Sequence, residues 1–452
     1  VIPVSVRPRS PACFYVRIAQ LDRASGYGPE GREFESCYVH FLSDFLSRLF
    51  LFNFKFIIYK LYYVFAKENK MNNLYELVCP CHFGLESVLK REIYDLGYDI
   101  TRVDNGRVYF EGDDEAVARA NINLRTAERV MICVGEFKAV TFTELFDRIV
   151  ELEWERFIPK DGKFWVTKAS SVNSKLFSTS DIQSIVKKAV VTRLGKKYGI
   201  SYFEETGSEY PIKINILKDT VSVCIDTTGT ALHKRGYRVT SGDAPISETL
   251  AASIIKLTPW RGDRILIDPF VGSGTIIIEA AMMAANIAPG MHRSFTSRAW
   301  SNLISQSIWN DVLEEAKDVI DTNVETHLQG YDIDAKVLKI ARDNAARAGV
   351  SDLVHFQNRD VSELSHAKKY GFIITNPPYG ERLEEKEALP GLYGALGSAF
   401  GKLEDWSAYV ITPYEEIEKD FNRKATKKRK LYNGMIKTYL YSFEGKKPPK
   451  RK

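Results

Sequence analysis

The spacing of hydrophobic residues changes near residue 240 and divides most of the chain into two parts. Before that point, short apolar runs predict strands, and runs with apolar residues every three or four positions predict helices between them. The expected strands cover 74–79, 102–110 (a hairpin), 130–134, 163–169, 212–217 and 220–226, and the expected helices cover 84–96, 113–124, 143–157 and 178–198. Short strands interspersed with helices are typical of an α+β sandwich. We expect a cationic strand at 231–239 to close it.

The second part has the order of a parallel, doubly wound sheet. A linker is predicted at 240–245 and a helix at 247–257. A buried strand at 265–267 then leads through a glycine-rich turn into a helix, and further strands and helices alternate after it. This alternation predicts βαβ units and an α/β fold. A last strand is expected at 435–443.

The first seventy residues share neither pattern. Residues 17–37 show no periodicity, and 41–70 are rich in the residues that AT-rich noncoding DNA encodes. We therefore expect the true start at Met71, with 1–70 a spurious or disordered extension. The alternative is a membrane-bound helix at 41–66. Its longest uncharged runs are six residues, against about 20 for a spanning helix, which leaves only an interfacial helix open.

Composition narrows the class of protein. With 452 residues, 44% hydrophobic and 27% charged, the chain is expected to form two to four folded domains. Six cysteines exclude a disulfide scaffold, and none form a C-x-x-C pair. The seven histidines are scattered, so we expect no metal site. Free thiols favour a reducing compartment, hence the cytoplasm.

Positive charge is concentrated at the C-terminal end. Residues 421–452 contain twelve Lys and Arg and one acid, a net charge of +11. Because the whole chain carries +5, the first 420 residues carry −6. A basic end on a mildly acidic body is typical of proteins that bind a polyanion. For the tail at 446–452, a frayed and solvated terminus is an equal alternative.

The segment RILIDPFVGSGT at 264–275 joins a buried strand to a helix. Asp268 closes the strand, and Gly272 and Gly274 let the backbone pass close beneath a ligand before Thr275 begins the helix. The third glycine of G-x-G-x-x-G is missing, which disfavours a diphosphate ligand. An acid at the end of the strand favours a cationic, amino-acid-bearing ligand such as S-adenosylmethionine. A purely structural corner is the alternative.

Acids also follow the next two predicted strands. Asp332, in GYDID at 330–334, directly follows its strand, where a carboxylate can accept both hydroxyls of a ribose. Asp334 is expected instead to cap the helix at 335–346. Asp360 ends the third strand and could accept the amino group of an adenine, with a solvated turn carboxylate as the alternative.

The segment NPPY at 376–379 follows a buried strand and indicates the chemistry. An exocyclic amino nitrogen is a poor nucleophile because its lone pair is delocalised into the ring. The side-chain oxygen of Asn376 and the carbonyl of Pro377 can accept its hydrogens, aim it at a methyl group and stabilise the developing charge. Pro377 and Pro378 stiffen the turn, and Tyr379 offers a face for a flipped base. A plain Pro-Pro turn would not explain the motifs upstream.

These motifs resemble those of the bacterial THUMP-domain RNA methyltransferases of the large-subunit rRNA guanine-N2 class. The resemblance covers about residues 71–445. Its marks are ALHKRGYR at 231–238, APISETLAA at 244–252, DPFVGSGTIIIEAAM at 268–282, IAPG at 287–290, GYDID at 330–334 and NPPYGERL at 376–383. Many methyltransferases share DPFVGSGT, whereas NPPYGERL together with LHKRGYR is much more specific.

The resemblance implies an α+β RNA-binding region followed by an α/β, Rossmann-like class I methyltransferase domain. The domains would be a ferredoxin-like segment at 71–135, a THUMP domain at 136–239, the methyltransferase domain at 240–445 and a basic tail at 446–452. It implies methyl transfer from S-adenosylmethionine to guanine N2 in structured RNA, without a metal.

The family's functional positions carry over residue by residue. Cofactor binding falls on Asp268, Phe270, Gly272, Gly274, Thr275, Asp332 and Asp360, and the catalytic, base-holding positions are Asn376, Pro377, Pro378 and Tyr379. RNA contacts are expected at Lys234, Arg235, Arg238, Lys427, Lys428, Arg429 and Lys430.

The chain departs from the family in three places, the first of which is that residues 1–70 have no counterpart in it. Some members carry a second, C-terminal methyltransferase domain, and we expect its activity to be absent here. Asp268 and Asp332 are also far apart for a simple strand–helix–strand step, so 290–321 is an insertion. Its Arg293, Arg298 and Trp300 are expected either to contact RNA or to serve as packing and surface groups.

Other functions remain open on the same residues. The same chemistry on tRNA is the nearest alternative, and amino-group methylation of DNA adenine or protein glutamine uses the same tetrapeptide. A non-catalytic RNA-binding or ribosome-assembly factor is a further class, against which the intact Asp268, Asp332 and Asn376 argue. We expect a monomer or weak homodimer and no membrane partner.

Overall fold

The computed structural model describes residues 74–167, 169–238, 246–380 and 383–449, without the side chains of 383–385. The predictions for 1–70, for a start at Met71 and for the linker at 240–245 lie outside these residues, as does the end of the basic tail.

The N-terminal half is built on one eight-stranded sheet. Its strands are β1 (Tyr75–Pro80), β2 (Ile100–Asp104), β3 (Arg107–Gly112), β4 (Met131–Lys138), β5 (Lys163–Val166), β6 (Ser170–Val172), β7 (Glu209–Leu217) and β8 (Thr220–Asp226). The order is β2-β3-β1-β4-β8-β7-β5, and β6 also pairs with β7. Because β4 pairs with β8, the two α+β units expected from the sequence share a continuous sheet.

The described part of this half contains four helices, and polar side chains cap the N-termini of all but the first. They are α1 (Glu86–Asp95), α2 (Asp114–Asn123), α3 (Phe142–Glu151) and α4 (Thr179–Tyr198). Thr141 and Glu144 form a capping box at α3. The sequence of α4 also fits a capping box of Ser180 and Gln183, but that box is not formed, because Ser178 caps α4 by accepting from the amide of Asp181. The Gln183 side chain bonds to the carbonyls of residues 166 and 167 instead.

The C-terminal half is a seven-stranded sheet with helices on its faces. Its strands are β9 (Leu266–Asp268), β10 (Leu328–Asp332), β11 (Val354–Asn358), β12 (Phe372–Thr375), β13 (Ser407–Thr412), β14 (Lys427–Asn433) and β15 (Ile436–Phe443). The helices are α5 (Glu248–Leu257), α6 (Thr275–Ala284), α7 (Gln306–Asp318), α8 (Ala335–Arg347), α9 (Leu383–Gly401) and α10 (Ile417–Asp420). The strand order is β11-β10-β9-β12-β13-β15-β14.

The first five strands of that order are parallel, and β15 runs antiparallel to both of its neighbours, β13 and β14. Alternate residues of the central strands enter two hydrophobic layers. Leu266 and Ile374 pack with α5, α6 and α8, whereas Ile267 and Ile373 pack with α9 on the opposite face. The chain passes from β9 outward to β10 and later returns to β12 on the other side of β9. Ligands bind open α/β sheets at such a switch point, outside the carboxyl ends of the strands.

Two segments differ from their predicted secondary structure. The described residues of 231–239 form turns rather than a strand, because they cross from the first sheet to the second. Residues 427–430, expected to precede the last strand, themselves form part of β14 and pair with β15.

The insertion at 290–321 joins the two halves. The guanidinium of Arg119 on α2 pairs with Glu315 on α7. The indole of Trp300 is fully buried, donates to the carbonyl of Glu209 at 2.7 Å, and stacks on Tyr210 with ring centres 4.9 Å apart. Arg293 donates to the backbone carbonyls of residues 230, 231 and 234. The packing alternative is thus confirmed for Trp300 and Arg293.

Candidate active site

Strands β10, β9 and β12 are neighbours in the sheet, and their carboxyl ends bring three predicted site residues to one edge. Asp268 is the last residue of β9, Asp332 is the last residue of β10, and Asn376 directly follows β12. Their order along the edge follows from the crossover, which no single motif reveals.

Asp268 is a buried carboxylate with two local donors. The hydroxyl of Thr375 donates to its Oδ1 at 2.6 Å, and the backbone amide of Phe270 donates to the same oxygen at 3.1 Å. Burial and the charge of Asp332 raise the pKa of Asp268 to about 7, against the opposing effect of those hydrogen bonds. A cation bound beside this carboxylate would favour its ionised form.

Asp332 holds the glycine-rich turn. Its Oδ2 accepts from the amide of Gly272 at 3.1 Å, and its Oδ1 accepts from the amide of Asp334 at 3.0 Å. The side chain of Asp334 accepts from the amide of Lys336, which confirms it as the cap of α8. Next to Asp332, the side chain of Ile333 is 73% exposed and offers an apolar surface.

The glycine-rich turn fits a ligand that lies against the backbone. Gly274 has φ +89°, and a Cβ there would come within 3.0 Å of Ile278 and 3.3 Å of Ala341. Gly272 has φ +51°, and a Cβ there would enter open space beside Asp332. The open space, the two carboxylates and the apolar Ile333 suit a nucleoside that carries an amino acid.

Asp360 lies two residues beyond β11 and is exposed. Its Oδ1 accepts from the amide of Ser362 at 2.8 Å and from its hydroxyl at 2.5 Å, which lowers the pKa of the carboxyl. These bonds belong to the cap of a short 3-10 turn. The geometry is that of the turn carboxylate considered above, and its contact with adenine stays a prediction.

Hydrogen bonds of two tyrosine hydroxyls and one asparagine side chain hold the tetrapeptide at 376–379. The Tyr379 hydroxyl donates to Oδ1 of Asn376 at 2.6 Å, and burial raises its pKa to about 12. The hydroxyl of Tyr393, on α9, lies 3.5 Å from the carbonyl of Pro378. The amide nitrogen of Asn433 donates to the Tyr379 hydroxyl at 3.3 Å.

Two of these neighbours were not predicted from the sequence. Tyr393 and Asn433 lie 14 and 54 residues after Tyr379, so motif spacing gave no indication of them. Asn433 precedes a glycine between two strand-like runs, which is a hairpin signal. That signal predicts a turn and says nothing of a contact with residue 379.

The cations predicted at 427–430 lie on β14, at the end of the strand order. Lys427, Lys428 and Lys430 are exposed. Arg429 is half-buried and donates through Nη1 to the carbonyl of Gly84 at 2.9 Å. The three lysines form an exposed cationic edge, whereas Arg429 joins β14 to the N-terminal half.

The three cations predicted in 234–238 have different surroundings. Lys234 is exposed. The Arg235 side chain is 2% exposed and faces the carboxylate of Glu279, so its prediction as an RNA contact is corrected. Arg238 is half-buried and donates to the hydroxyl of Thr275 and the carbonyl of residue 246, and its contact with RNA stays a prediction. Both guanidiniums contact side chains of α6 and so fix that helix to the loop at 231–238.

In the part of the chain that the structure describes, no three His, Cys, Asp or Glu side chains are grouped so that they could hold a metal ion.

Across the same described ranges, every helix is too short or too polar to cross a membrane.

Three family models match consecutive parts of the chain. An RlmL ferredoxin-like domain matches residues 76–131, a THUMP domain matches 139–226, and an RMKL-like methyltransferase domain matches 235–442. They confirm the predicted fold class.

Relatives match along the same length. "Putative RNA methyltransferase YpsC" of Bacillus subtilis is 46% identical over 380 residues, which are 84% of this chain and 98% of that protein. The crystal structure of "a possible methylase from Clostridium difficile 630" is 49% identical, with a TM-score of 0.81, over 84% of this chain and all of that one.

A further solved structure shows the cofactor. SMU.472, crystallised "complexed with SAH", is 42% identical, with a TM-score of 0.79, over 83% of this chain and 99% of that one. S-adenosylhomocysteine is what remains of S-adenosylmethionine after methyl transfer, so S-adenosylmethionine is the methyl donor. The chain belongs to the RlmL-like family of THUMP-containing class I RNA methyltransferases.

Proposed function

We propose that this chain methylates the exocyclic N2 amino group of a guanine in large-subunit rRNA. The observation that carries the proposal is the position of Asn376, directly after β12 and beside the strand that ends in Asp268. An acceptor for an amino group therefore adjoins the residues suited to hold the methyl donor.

The acceptors at 376–377 address the main chemical difficulty. Guanine N2 gains positive charge as its lone pair leaves the ring, and acceptors already in place stabilise that charge without reorganisation. Asn376 Oδ1 accepts one bond from Tyr379 and has a second lone pair for a substrate hydrogen. The Pro377 carbonyl would accept the other hydrogen. The proton leaves to solvent during or after transfer.

The donor supplies an electrophilic methyl on a sulfonium. In the proposed arrangement Asp268 faces its α-ammonium group and Asp332 its ribose hydroxyls. Phe270 holds Asp268 through its backbone amide, and Gly272 leaves the space in which the donor lies. Asp360, two residues beyond β11, would accept a hydrogen bond from the adenine amino group.

RNA as the substrate is supported by the THUMP match and by the exposed lysines of β14. The Bacillus subtilis relative carries the name of an RNA methyltransferase. Transfer to tRNA would use the same residues and is separated by the first experiment below. An rRNA substrate would place the protein in the cytoplasm and give it a part in rRNA processing.

The test is transfer from labelled S-adenosylmethionine to total RNA of a Bacillus subtilis strain that lacks YpsC, followed by nucleoside mass spectrometry of separated RNA classes. We expect labelled N2-methylguanosine in large-subunit rRNA. The same nucleoside in tRNA would change the substrate, and N6-methyladenosine would overturn the guanine assignment.

Affinity for S-adenosylmethionine is expected to depend on pH through Asp268. Because the pKa of Asp268 is raised to about 7, the carboxyl is protonated below that pH and loses its attraction for an ammonium. Kd should therefore rise as pH falls, by at most about tenfold per pH unit, and level off above pH 7. Calorimetry between pH 5.5 and 8 measures this. Asp268→Asn should bind more weakly with a flat profile, and a flat wild-type profile would contradict the role.

The lysine edge is expected to contribute to RNA affinity through phosphate contacts. Replacing Lys427, Lys428 and Lys430 by Ala should weaken binding and flatten the dependence of log K on log salt by about 2 units, since each phosphate contact contributes about 0.7–0.9. Filter binding of the same rRNA at several salt concentrations measures the slope. The matched control replaces the exposed Lys317, Lys339 and Lys402 by Ala. Equal slopes in both triple variants would exclude the lysine edge.

A further inference from the structure

The hairpin formed by β14 and β15 ends in an exposed methionine. Asn433 pairs with Ile436, so the connecting turn consists of Gly434 and Met435. Gly434 has φ +59°, a conformation that glycine adopts without strain. Met435 is 98% exposed, more than any other large hydrophobic side chain in the described ranges. Turns favour polar residues at such positions, so the turn itself does not require methionine.

The hairpin is firmly held below its tip. Leu431 is fully buried in the layer that contains Leu266 and Leu440. Arg429 bonds to the carbonyl of Gly84 in the N-terminal half. The exposed side chain is thus presented on a packed element rather than on a loose loop.

The tip lies beside the site that would hold the target base. The side chain of Asn433 donates to the hydroxyl of Tyr379, which in turn donates to Asn376. Met435 follows Asn433 by two residues, a chain length of at most about 7 Å. An exposed apolar side chain therefore adjoins the proposed base pocket.

Cations line the same hairpin. The ammonium groups of Lys428 and Lys437 lie 4.1 and 5.1 Å from the ring centre of Tyr439, and that of Lys430 lies 5.3 Å from the ring centre of Tyr432. All three lysines are exposed. Such a pattern suits a phosphate backbone that follows the strand toward the tip.

We propose that Met435 inserts into the base stack of the RNA, in the gap that the target guanine leaves when it turns into the site. This inference rests on the proposed function. Proteins that kink or open nucleic acids insert apolar side chains, methionine among them, between bases. An unbranched thioether adapts to the irregular gap and covers the bases on either side. The hairpin then holds the RNA open while Asn376 and Tyr379 hold the base.

The test compares Met435→Ala with Met435→Leu, which keeps an apolar side chain of similar size. Each variant, and wild type, is assayed for methyl transfer to total RNA from Bacillus subtilis lacking YpsC, both folded and cut to short fragments. Leu217→Ala serves as the control, because Leu217 is also exposed and ends the strand before another hairpin turn. All the changes lie on the surface, and circular dichroism checks that each variant is folded.

We expect Met435→Ala to lower kcat/KM on folded RNA about tenfold, which is about 1.4 kcal/mol of transition-state stabilisation. On fragments, whose bases are already unstacked, the loss should be below threefold. Met435→Leu should recover most of the activity on folded RNA. Equal losses on both RNA forms, or a loss no greater than that of Leu217→Ala, would overturn the inference while leaving the proposed function intact. If wild type methylates neither RNA form, the proposed function fails and the inference fails with it.

Discussion

Replacing Asn376 by Ala is expected to lower kcat by about a hundredfold to a thousandfold and to leave the Kd for S-adenosylmethionine within about twofold of wild type. In the proposed mechanism the change removes an acceptor that matters most when charge develops on the amino nitrogen, and the loss of one such preorganised group typically has this size. Single-turnover kinetics with rRNA measure the chemical step, and calorimetry measures cofactor binding.

Two variants make the Asn376 experiment specific. Tyr379→Phe keeps the ring for stacking and removes only the hydroxyl bonded to Asn376, so we expect a much smaller loss, of about tenfold or less. Asn323→Ala removes an exposed amide elsewhere in the catalytic domain and should behave as wild type. A parallel loss of cofactor affinity in Asn376→Ala would disprove the assignment.

Replacing Arg235 by Ala is expected to lower the free energy of unfolding by about 3–5 kcal/mol, because Glu279 would remain as a buried charge that has lost its partner. The two side chains are 2% and 0% exposed, with Nε and Oε1 3.4 Å apart. Arg235 also donates to the carbonyls of Leu232 and Arg125. Urea denaturation measures the loss.

A double variant separates the ion pair from packing. Arg235→Met together with Glu279→Leu removes both charges and keeps apolar volume, so it should be markedly more stable than Arg235→Ala alone. If Arg235→Ala lowers the free energy of unfolding by less than about 1 kcal/mol, the ion pair does not stabilise the fold.

Much of the fold could be predicted because its signals are local. The hairpin through Asn105-Gly106, the cap at Asp334 and the ends of β9 and β10 each depend on a few neighbouring residues, and the structure agrees with them. The glycine-rich turn is recognisable for the same reason. Asn376 could be proposed as a site residue because the NPPY segment offers two acceptors for an amino group, whatever its position in the fold.

The surroundings of the arginines could not be predicted in the same way. In the sequence Arg235 and Arg238 stand beside Lys234 in a cationic run. The partners of the two arginines, Glu279 and Thr275, come from α6, about 40 residues later. Charge alone does not distinguish a buried guanidinium from an exposed one. The contact of Asn433 with Tyr379 depends on long-range pairing in the same way.

The continuous sheet of the N-terminal half has a consequence for how a target is chosen. Because β4 and β8 pair, and because Trp300 and Arg119 fix residues 290–318 to that half, the THUMP domain and the crevice at β9 and β12 are separated by a fixed span. In such an arrangement, the fixed span would set the distance between the bound RNA segment and the nucleotide that reaches the site. Under the proposed function, the target guanine would be selected by its distance from the RNA segment that the THUMP domain binds, and we expect a helix one base pair longer or shorter to bring the wrong nucleotide to the site.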